Sequence, residues 1–191
     1  MNNINIYQEA LQNSVQSIEN RHFYVASIVK YLFNPDLYKT ICEIGGSNFE
    51  LADILSNYYH SVIEYEPNPM STLNKPNLTL YKKQFDGSSY NLTSDAYVSV
   101  CPYINSYYSE ENEISYYDKQ SCEQLKEIIK TLMNKDKELL FVLFNTPGME
   151  TCAQEIITEY KNQILLSDID LHVNHYGTTK VSHHKVLLYK K

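Results

Sequence analysis

The sequence predicts a single α/β domain built on a mostly parallel β-sheet, and three observations carry that prediction. An apolar run, Thr40–Ile44, is followed by the glycine pair Gly45-Gly46 and then by a helical pattern. A second apolar run, Ser61–Tyr65, ends directly in Glu66. Further apolar runs and helical patterns alternate along the rest of the chain, which closes on two sheet-like segments. In such a strand–turn–helix–strand unit, glycines let backbone amides approach a ligand, and an acid after the second strand can bind ribose hydroxyls.

Length and charge narrow the class of protein. The 191 residues fit one domain, and 23 Asp and Glu against 16 Lys and Arg give a formal net charge of -7. Because there is no general basic footprint, a nucleic-acid partner is not expected, and a small-molecule or peptide partner is favoured. No charged-then-apolar leader opens the chain and no apolar run approaches the length of a membrane span. We therefore expect a cytoplasmic protein without a membrane segment.

The spacing of cysteine and histidine predicts neither a zinc site nor a disulfide framework. The cysteines are widely scattered, with no Cys-x-x-Cys pair. His172, His175, His183 and His184 gather near the end of the chain, but alternation along a strand would divide them between two faces. Structural or solvent-exposed roles are therefore expected for most of them. His175, near a strand end, is a candidate base near the substrate.

Residues 1–36 predict a helical extension that packs on a core formed by residues 37–191. Apolar side chains recur at three- and four-residue spacing in two segments, and Asn34-Pro35 ends the second. The apolar positions are Ile4, Tyr7, Leu11, Val15 and Ile18, then Tyr24, Ile28, Tyr31 and Leu32. The pattern indicates one face buried against the sheet. A partly exposed tyrosine such as Tyr24 would instead favour a lid over a ligand.

The core alternates strands and helices and ends in a hairpin. Each strand is a short apolar run bounded by turn residues, and each helix has an apolar face at helical spacing. The predicted strands are Lys39–Ile44, Ser61–Tyr65, Leu78–Tyr81, Asp95–Val100, Glu138–Phe144, Ile169–Tyr176 and Val186–Tyr189. The predicted helices are Phe49–Tyr58, Ser121–Met133 and Glu150–Asn162.

Polar residues follow the third and fourth predicted strands. Asp86-Gly87 is either a routine turn or a ligand contact. Cys101-Pro102-Tyr103 comes where ligands of open α/β sheets bind, beyond the carboxyl ends of strands. Pro102 also serves as a simple strand terminator.

Residues 104–120 predict a long polar loop leaving the same edge of the sheet. Long loops in compact domains are commonly functional, so Tyr107 and Tyr108 are candidate substrate contacts. The acids of this segment favour a cationic acceptor, or they form a solvated surface. Both interpretations remain open.

The first turn resembles a known family signature. Class I methyltransferases that use S-adenosylmethionine carry an acid-x-Gly-x-Gly-x-Gly motif after their first strand. Here Glu43 and Gly45 match it, while Ser47 and Phe49 stand in place of the second and third glycines. The resemblance covers about residues 36 to 191. It implies a three-layer αβα Rossmann-like methyltransferase fold, with a seven-stranded, mostly parallel sheet and a C-terminal antiparallel hairpin.

The resemblance also implies S-adenosyl-L-methionine as cofactor and a role for particular residues. Glu66 would bind both ribose hydroxyls, Asp86 the adenine amino group, and Glu43 a water or the amino group of the cofactor. Tyr103 would stand at the catalytic position, although Val100 occupies the place of the polar residue that amino-group methyltransferases use. The full cofactor set is Glu43, Gly45, Gly46, Ser47, Glu66, Pro67, Asp86, Gly87, Cys101 and Pro102, and the substrate set is Tyr24, Tyr107, Tyr108 and His175.

Three other functions fit the same pattern. The fold also serves enzymes that transfer the aminocarboxypropyl group of this cofactor or break it down. A catalytically silent cofactor-binding or interaction protein is consistent with Val100 and with the depleted glycines. A nicotinamide dehydrogenase fits least well, because a pyrophosphate would require more glycine in the turn.

Overall fold

Strands and helices alternate through most of the chain. The computed structural model describes residues 16–17, 21–46, 49–69, 72–88, 92–100, 106–109, 114–117, 119–144, 147–160, 163–175 and 178–191. The strands are Gln16–Ser17 (β1), Thr40–Ile44 (β2), Ser61–Tyr65 (β3), Leu78–Tyr81 (β4), Ala96–Val100 (β5), Ser106–Ser109 (β6), Ile114–Tyr117 (β7), Glu138–Phe144 (β8), Leu165–His175 (β9) and Thr178–Tyr189 (β10). The helices are Arg21–Leu32 (α1), Glu50–Leu55 (α2), Lys119–Asn134 (α3) and Pro147–Glu159 (α4).

The main sheet has the strand order β1-β9-β10-β8-β5-β2-β3-β4. Every neighbouring pair in it is parallel except the two pairs made by β10, which runs antiparallel to β8 and to β9. The predicted fold class is therefore confirmed: seven strands form a mostly parallel sheet that ends in an antiparallel hairpin. In the described part of the chain, β1 adds an eighth strand.

Alternation along the strands builds two apolar layers. Ile41, Val62 and Val98 point to the face covered by α1 and α2. Cys42 and Tyr97, one residue away, point to the face covered by α3 and α4. A strand that is buried on both faces is apolar at nearly every position, which is why these strands appear in the sequence as unbroken apolar runs.

Several predicted boundaries are wrong. Gln16 and Ser17, placed in a helix by their spacing, are extended and pair with Val173 and Asn174 of β9. Residues 104–120 do not form one loop, because β6 and β7 pair as a hairpin and α3 begins at Lys119. The hairpin strands β9 and β10 are also longer than predicted. In each case strand pairing, which local pattern does not reveal, determines the structure.

One disulfide corrects the expectation from cysteine spacing. Cys122 on α3 and Cys152 on α4 are bonded, with Cα atoms 5.7 Å apart and a sequence separation of 30. The two helices pack against the same sheet face, and this brings together cysteines that sequence spacing had separated. Among the helices described, none combines the length and apolarity needed to cross a membrane.

Candidate functional site

Three acids lie at one edge of the sheet. Strands β2, β3 and β4 are adjacent and parallel, so their carboxyl ends meet at the same edge. Glu43 is the penultimate residue of β2, Glu66 directly follows β3, and Asp86 follows β4 by five residues. The register of the strands thus brings to one edge the carboxylates that the sequence distributes over 44 positions (43 to 86). Ligands of open α/β sheets bind at such an edge.

The turn after β2 is tied to both neighbouring elements. Gly45 has a left-handed backbone, with φ of 78°, and its amide donates to the Tyr65 carbonyl over 2.8 Å. Phe49 donates to the Gly46 carbonyl over 2.9 Å and is itself left-handed, with φ of 64°. Its side chain is fully buried. Hydrogen bonds therefore fix the turn before α2 begins.

A buried acid pair lies beneath this turn. Glu43 and Glu64 are register partners on β2 and β3, and they are 1% and 0% exposed. The two carboxyls are neighbours, and each shifts the pKa of the other. The Gly46 amide donates to Glu64 Oε1 over 2.9 Å, and the Ala52 amide donates to Glu43. The pair therefore holds both ends of the segment that links β2 to α2.

Burial controls the protonation of the pair. It raises the pKa of Glu43 to about 7, and it raises the pKa of Glu64 well above the usual range. Each acid is also close to further carboxylates, Glu66 in both cases and Glu50 for Glu43. Since two adjacent buried carboxylates repel, the pair retains a proton at neutral pH.

Sequence reasoning overlooked Glu64, although a signal was present. It is a charged residue in an otherwise apolar strand, two positions before the acid that was assigned a role. Buried acids require partners. A single acid inside an apolar run thus indicated a second buried polar group on a neighbouring strand.

Glu66 is held by the segment that follows it. Its amide donates to the Tyr81 carbonyl over 3.1 Å, and its Oε1 accepts the Asn68 amide over 2.8 Å. The side chain is 8% exposed, whereas the next residue, Pro67, is exposed. Glu66 is therefore oriented by its own turn before any ligand binds.

Asp86 and Gly87 form an open turn beside a cavity. Asp86 is exposed, and its Oδ1 accepts both the amide and the hydroxyl of Ser88, over 2.9 and 2.6 Å. Gly87 has φ of 69°, and a Cβ placed there would lie 2.8 Å from Thr131 Cγ2. The adjoining cavity has a volume of about 510 Å³ and is lined by Gln84, Phe85, Asp86, Glu123, Gln124, Glu127, Ile128 and Thr131. That volume lies in the range typical of small-molecule pockets.

Aromatic rings connect the segments that carry the two outer acids. Tyr65 precedes Glu66 and Phe85 precedes Asp86, and the Tyr65 and Phe85 ring centroids are 5.3 Å apart. Tyr81 stacks on Tyr65 with centroids 4.9 Å apart. Sequence reasoning did not assign these rings a role. The recurrence of an aromatic residue before each acid was the available signal.

The carboxyl end of β5 is described only up to Val100, which is 5% exposed. The Ser99 hydroxyl donates to the Ile44 carbonyl over 2.6 Å and holds this end against β2. Ser47, Cys101, Pro102 and Tyr103 lie outside the described residues.

The substrate candidates are spread over three elements. Tyr107 and Tyr108 lie on β6, and His175 is the last residue of β9. Tyr24 lies on α1, partly buried against the apolar layer beneath that helix. His22, two residues before Tyr24, contacts α2: its Nδ1 is 2.8 Å from Glu50 Oε2. Burial, together with the nearby charge of Arg21, lowers the pKa of His22 to about 4.

Comparison with solved structures identifies the architecture. A SAM-dependent methyltransferase from Anabaena variabilis is similar with a TM-score of 0.59 and 12% identity, over 96% of this chain and 92% of that chain. The chain has the class I methyltransferase fold. This fold accounts for the strand order and for the antiparallel position of β10 in the sheet.

Two further structures with this fold show its range. A precorrin 8W decarboxylase from Methanobacterium thermoautotrophicum is similar with a TM-score of 0.56 and 13% identity, over 87% of this chain and 89% of that one. A putative RNA methyltransferase from Pyrococcus horikoshii matches with a TM-score of 0.56 and 11% identity, over 100% and 99%. No family model matches the chain, and no curated protein sequence matches it.

Proposed function

We propose that this chain is a methyltransferase that binds S-adenosyl-L-methionine along the edge formed by β2, β3 and β4. The observation that carries the proposal is the placement of Glu66 and Asp86 after two adjacent parallel strands of a class I methyltransferase fold, with Glu43 buried beneath the neighbouring turn. Fold alone does not determine function, so the argument rests on these side chains.

The residues present fit the parts of this cofactor. Glu66 offers a preoriented carboxylate to two ribose hydroxyls. Asp86 offers a carboxylate to the adenine amino group at the mouth of a cavity that has Phe85 and Ile128 as apolar walls. Charged hydrogen bonds of this kind contribute about 1.5–3 kcal/mol each.

The glycines of the first turn act differently from those of a phosphate-binding loop. The Gly46 amide is already donated to Glu64, and a Cβ at Gly46 would lie 2.5 Å from the Glu64 carboxyl. Gly46 is therefore needed so that the acid pair can approach the turn. The methionine part of the cofactor would rest on the backbone that this approach shapes.

The chain contributes chiefly by positioning. When bound, the cofactor would supply an electrophilic methyl group suited to in-line attack by an acceptor. Holding the cofactor and the acceptor close together in the correct orientation provides most of the acceleration, and no covalent catalyst in the protein is needed. Tyr103, with Cys101 and Pro102, is proposed to face the acceptor beyond β5, and Tyr24, Tyr107, Tyr108 and His175 are proposed to contact it.

The acceptor is proposed to be a small molecule or a peptide, in keeping with the net charge of -7. Charge alone does not exclude a nucleic acid, because the fold is shared by a protein described as a putative RNA methyltransferase. It is also shared by a protein described as a precorrin decarboxylase. Acceptor screens should therefore include amines, peptides, tetrapyrroles and RNA.

Calorimetric titration with S-adenosylmethionine and with S-adenosylhomocysteine tests the proposal. Binding of either ligand supports the assignment of the cofactor, and the mass added to an acceptor then separates methyl from aminocarboxypropyl transfer. Binding with no turnover on any acceptor would favour a silent cofactor-binding protein, for which the apolar Val100 at the end of β5 is the supporting observation. Absence of binding to a folded sample would refute the proposal.

A further inference from the structure

Two charged carboxylates could not satisfy the hydrogen-bonding needs of the acid pair under the first turn, because carboxylates accept hydrogen bonds and donate none. Glu43 Oε2 and Glu64 Oε2 are both buried, and neither has a protein donor among the described residues. A proton held between the two carboxyls provides the donor that both otherwise lack.

We propose that Glu64 is a positioning residue for the cofactor turn and that it acts as a neutral carboxylic acid, which donates to Glu43 and accepts the Gly46 amide. The inference rests on the proposed function, because that turn is assigned to the cofactor. Glu64 is too deeply buried to touch the ligand, so it acts through the backbone of Gly45 and Gly46.

The surroundings of the pair favour the proton. The ionisable groups that face it from the packed elements are Glu66 after β3, Glu50 on α2, Cys42 on β2 and, through its contact with Glu50, His22 on α1. Glu66 and Glu50 are negative when ionised. Burial raises the pKa of the Cys42 thiol, and the lowered pKa of His22 leaves its ring neutral at pH 7. The charge near the pair is therefore negative, and it opposes a second negative charge on the pair.

The sign of the pH dependence follows from these shifts. Burial raises the folded-state pKa of both acids above the unfolded value of about 4.5. The stabilisation is therefore complete below that unfolded value and is lost as the pH rises through the two folded pKa values, about 7 for Glu43 and well above the usual range for Glu64, which holds the shared proton. Once Glu64 has also lost its proton, the two carboxylates repel each other and the turn loses its support. Cofactor affinity should fall in the same window.

Binding of S-adenosylhomocysteine by calorimetry, from about pH 6 to about pH 9, tests the proposal. For the unaltered protein we expect affinity to fall by about tenfold or more over this range. Glu64→Gln has the shape of the neutral acid, since its amide can accept from Gly46 and donate to Glu43. Its affinity at low pH should match that of the unaltered protein and should fall much less on the alkaline side.

The variant also controls for the ligand. The amino group of the ligand titrates near this range, but it does so equally with both proteins, so the difference between the two profiles reports the pair alone. Glu43→Gln is the reciprocal test and should flatten the profile in the same way. Parallel profiles in all three proteins would overturn the inference.

Failure of the proposed function can be recognised separately. If the unaltered protein binds no cofactor at any pH, the cofactor assignment fails, and thermal unfolding then tests the pair by itself. The midpoint of the unaltered protein should fall between about pH 6 and about pH 9 by more than that of Glu64→Gln or Glu43→Gln. Equal slopes would overturn the shared proton as well.

Discussion

The turns after β2 and β4 share a plan and differ in chemistry. Each follows a parallel strand at the same edge, contains a left-handed glycine and stands beside an acid. After β2, Glu43 and Glu64 are buried and occupied with the backbone of the turn. After β4, Asp86 is exposed and borders a cavity. The first turn is therefore held by its buried acids, whereas the second leaves its acid exposed beside a cavity.

This contrast separates two roles that an acid at a strand end can have. A buried carboxyl affects stability and acts on binding only through the backbone. An exposed carboxylate at a cavity affects binding directly and contributes little to stability. Glu66 combines the two situations, because its side chain is nearly buried and yet is proposed to bind the ribose hydroxyls. Four substitutions test this division.

The largest expected effect is that of Glu64→Ala on folding. The Gly46 amide and Glu43 would both lose a buried partner, at about 1–3 kcal/mol each, so we expect a loss on the order of 3 kcal/mol. Urea denaturation at mildly acidic pH measures it. The exposed acid Asp36, at the opposite edge, supplies the control Asp36→Ala. Equal stability of the two variants would remove the structural role of the pair.

Glu66→Ala should act mainly on binding. The loss of a charged partner for the ribose hydroxyls should weaken cofactor affinity by about 1.5–3 kcal/mol, or about 10- to 150-fold. Calorimetry with S-adenosylhomocysteine measures the change, again with Asp36→Ala as control. An unchanged affinity in a folded variant would contradict the ribose assignment.

Gly87→Ala should destabilise the protein by about 2 kcal/mol. A left-handed backbone costs about 1–2 kcal/mol for a residue with a Cβ, and the methyl of Thr131 would be 2.8 Å away. Adding Thr131→Ser removes that methyl, so the double variant should recover the steric part and retain the backbone part. If adding Thr131→Ser to Gly87→Ala restores no stability in a denaturant titration, the close contact inferred between α3 and the turn is wrong.

Asp86→Asn should give the smallest change. The amide oxygen can still accept from an adenine amino group, so the loss of affinity should be about 0.5–1.5 kcal/mol, with stability unchanged. Competition with adenosine extends the test, because the variant should discriminate less between adenosine and inosine. A large loss of folding stability would place Asp86 with the acids that build the structure.

The sequence predicted those parts of the fold that depend on local pattern. Runs such as Ser61–Tyr65 and Glu138–Phe144 coincide with strands of the structure, because strands buried on both faces are apolar throughout. The acids after β3 and β4 were located in the same way, since each directly follows or closely follows such a run. Their role as ligand contacts remains a prediction.

Features that depend on register or on helix packing could not be read from the sequence. Glu64 faces Glu43 only because β2 and β3 pair residue for residue. Cys122 meets Cys152 only because α3 and α4 cover the same face. The hairpin of β6 and β7 has polar, tyrosine-rich strands that show no apolar alternation, so its sequence suggested a loop.

Phe49 shows that the turn after β2 forms its left-handed backbone without a glycine at this position. The position requires a left-handed backbone, which glycine adopts freely and phenylalanine adopts at a cost of about 1–2 kcal/mol. Here the ring is fully buried, and such a ring is worth about 3–5 kcal/mol relative to alanine. Burial of the ring thus offsets the backbone strain, and a glycine at this position would lose the packing of that ring in the core. The left-handed backbone expected of a glycine is thus formed at a position where the sequence shows none.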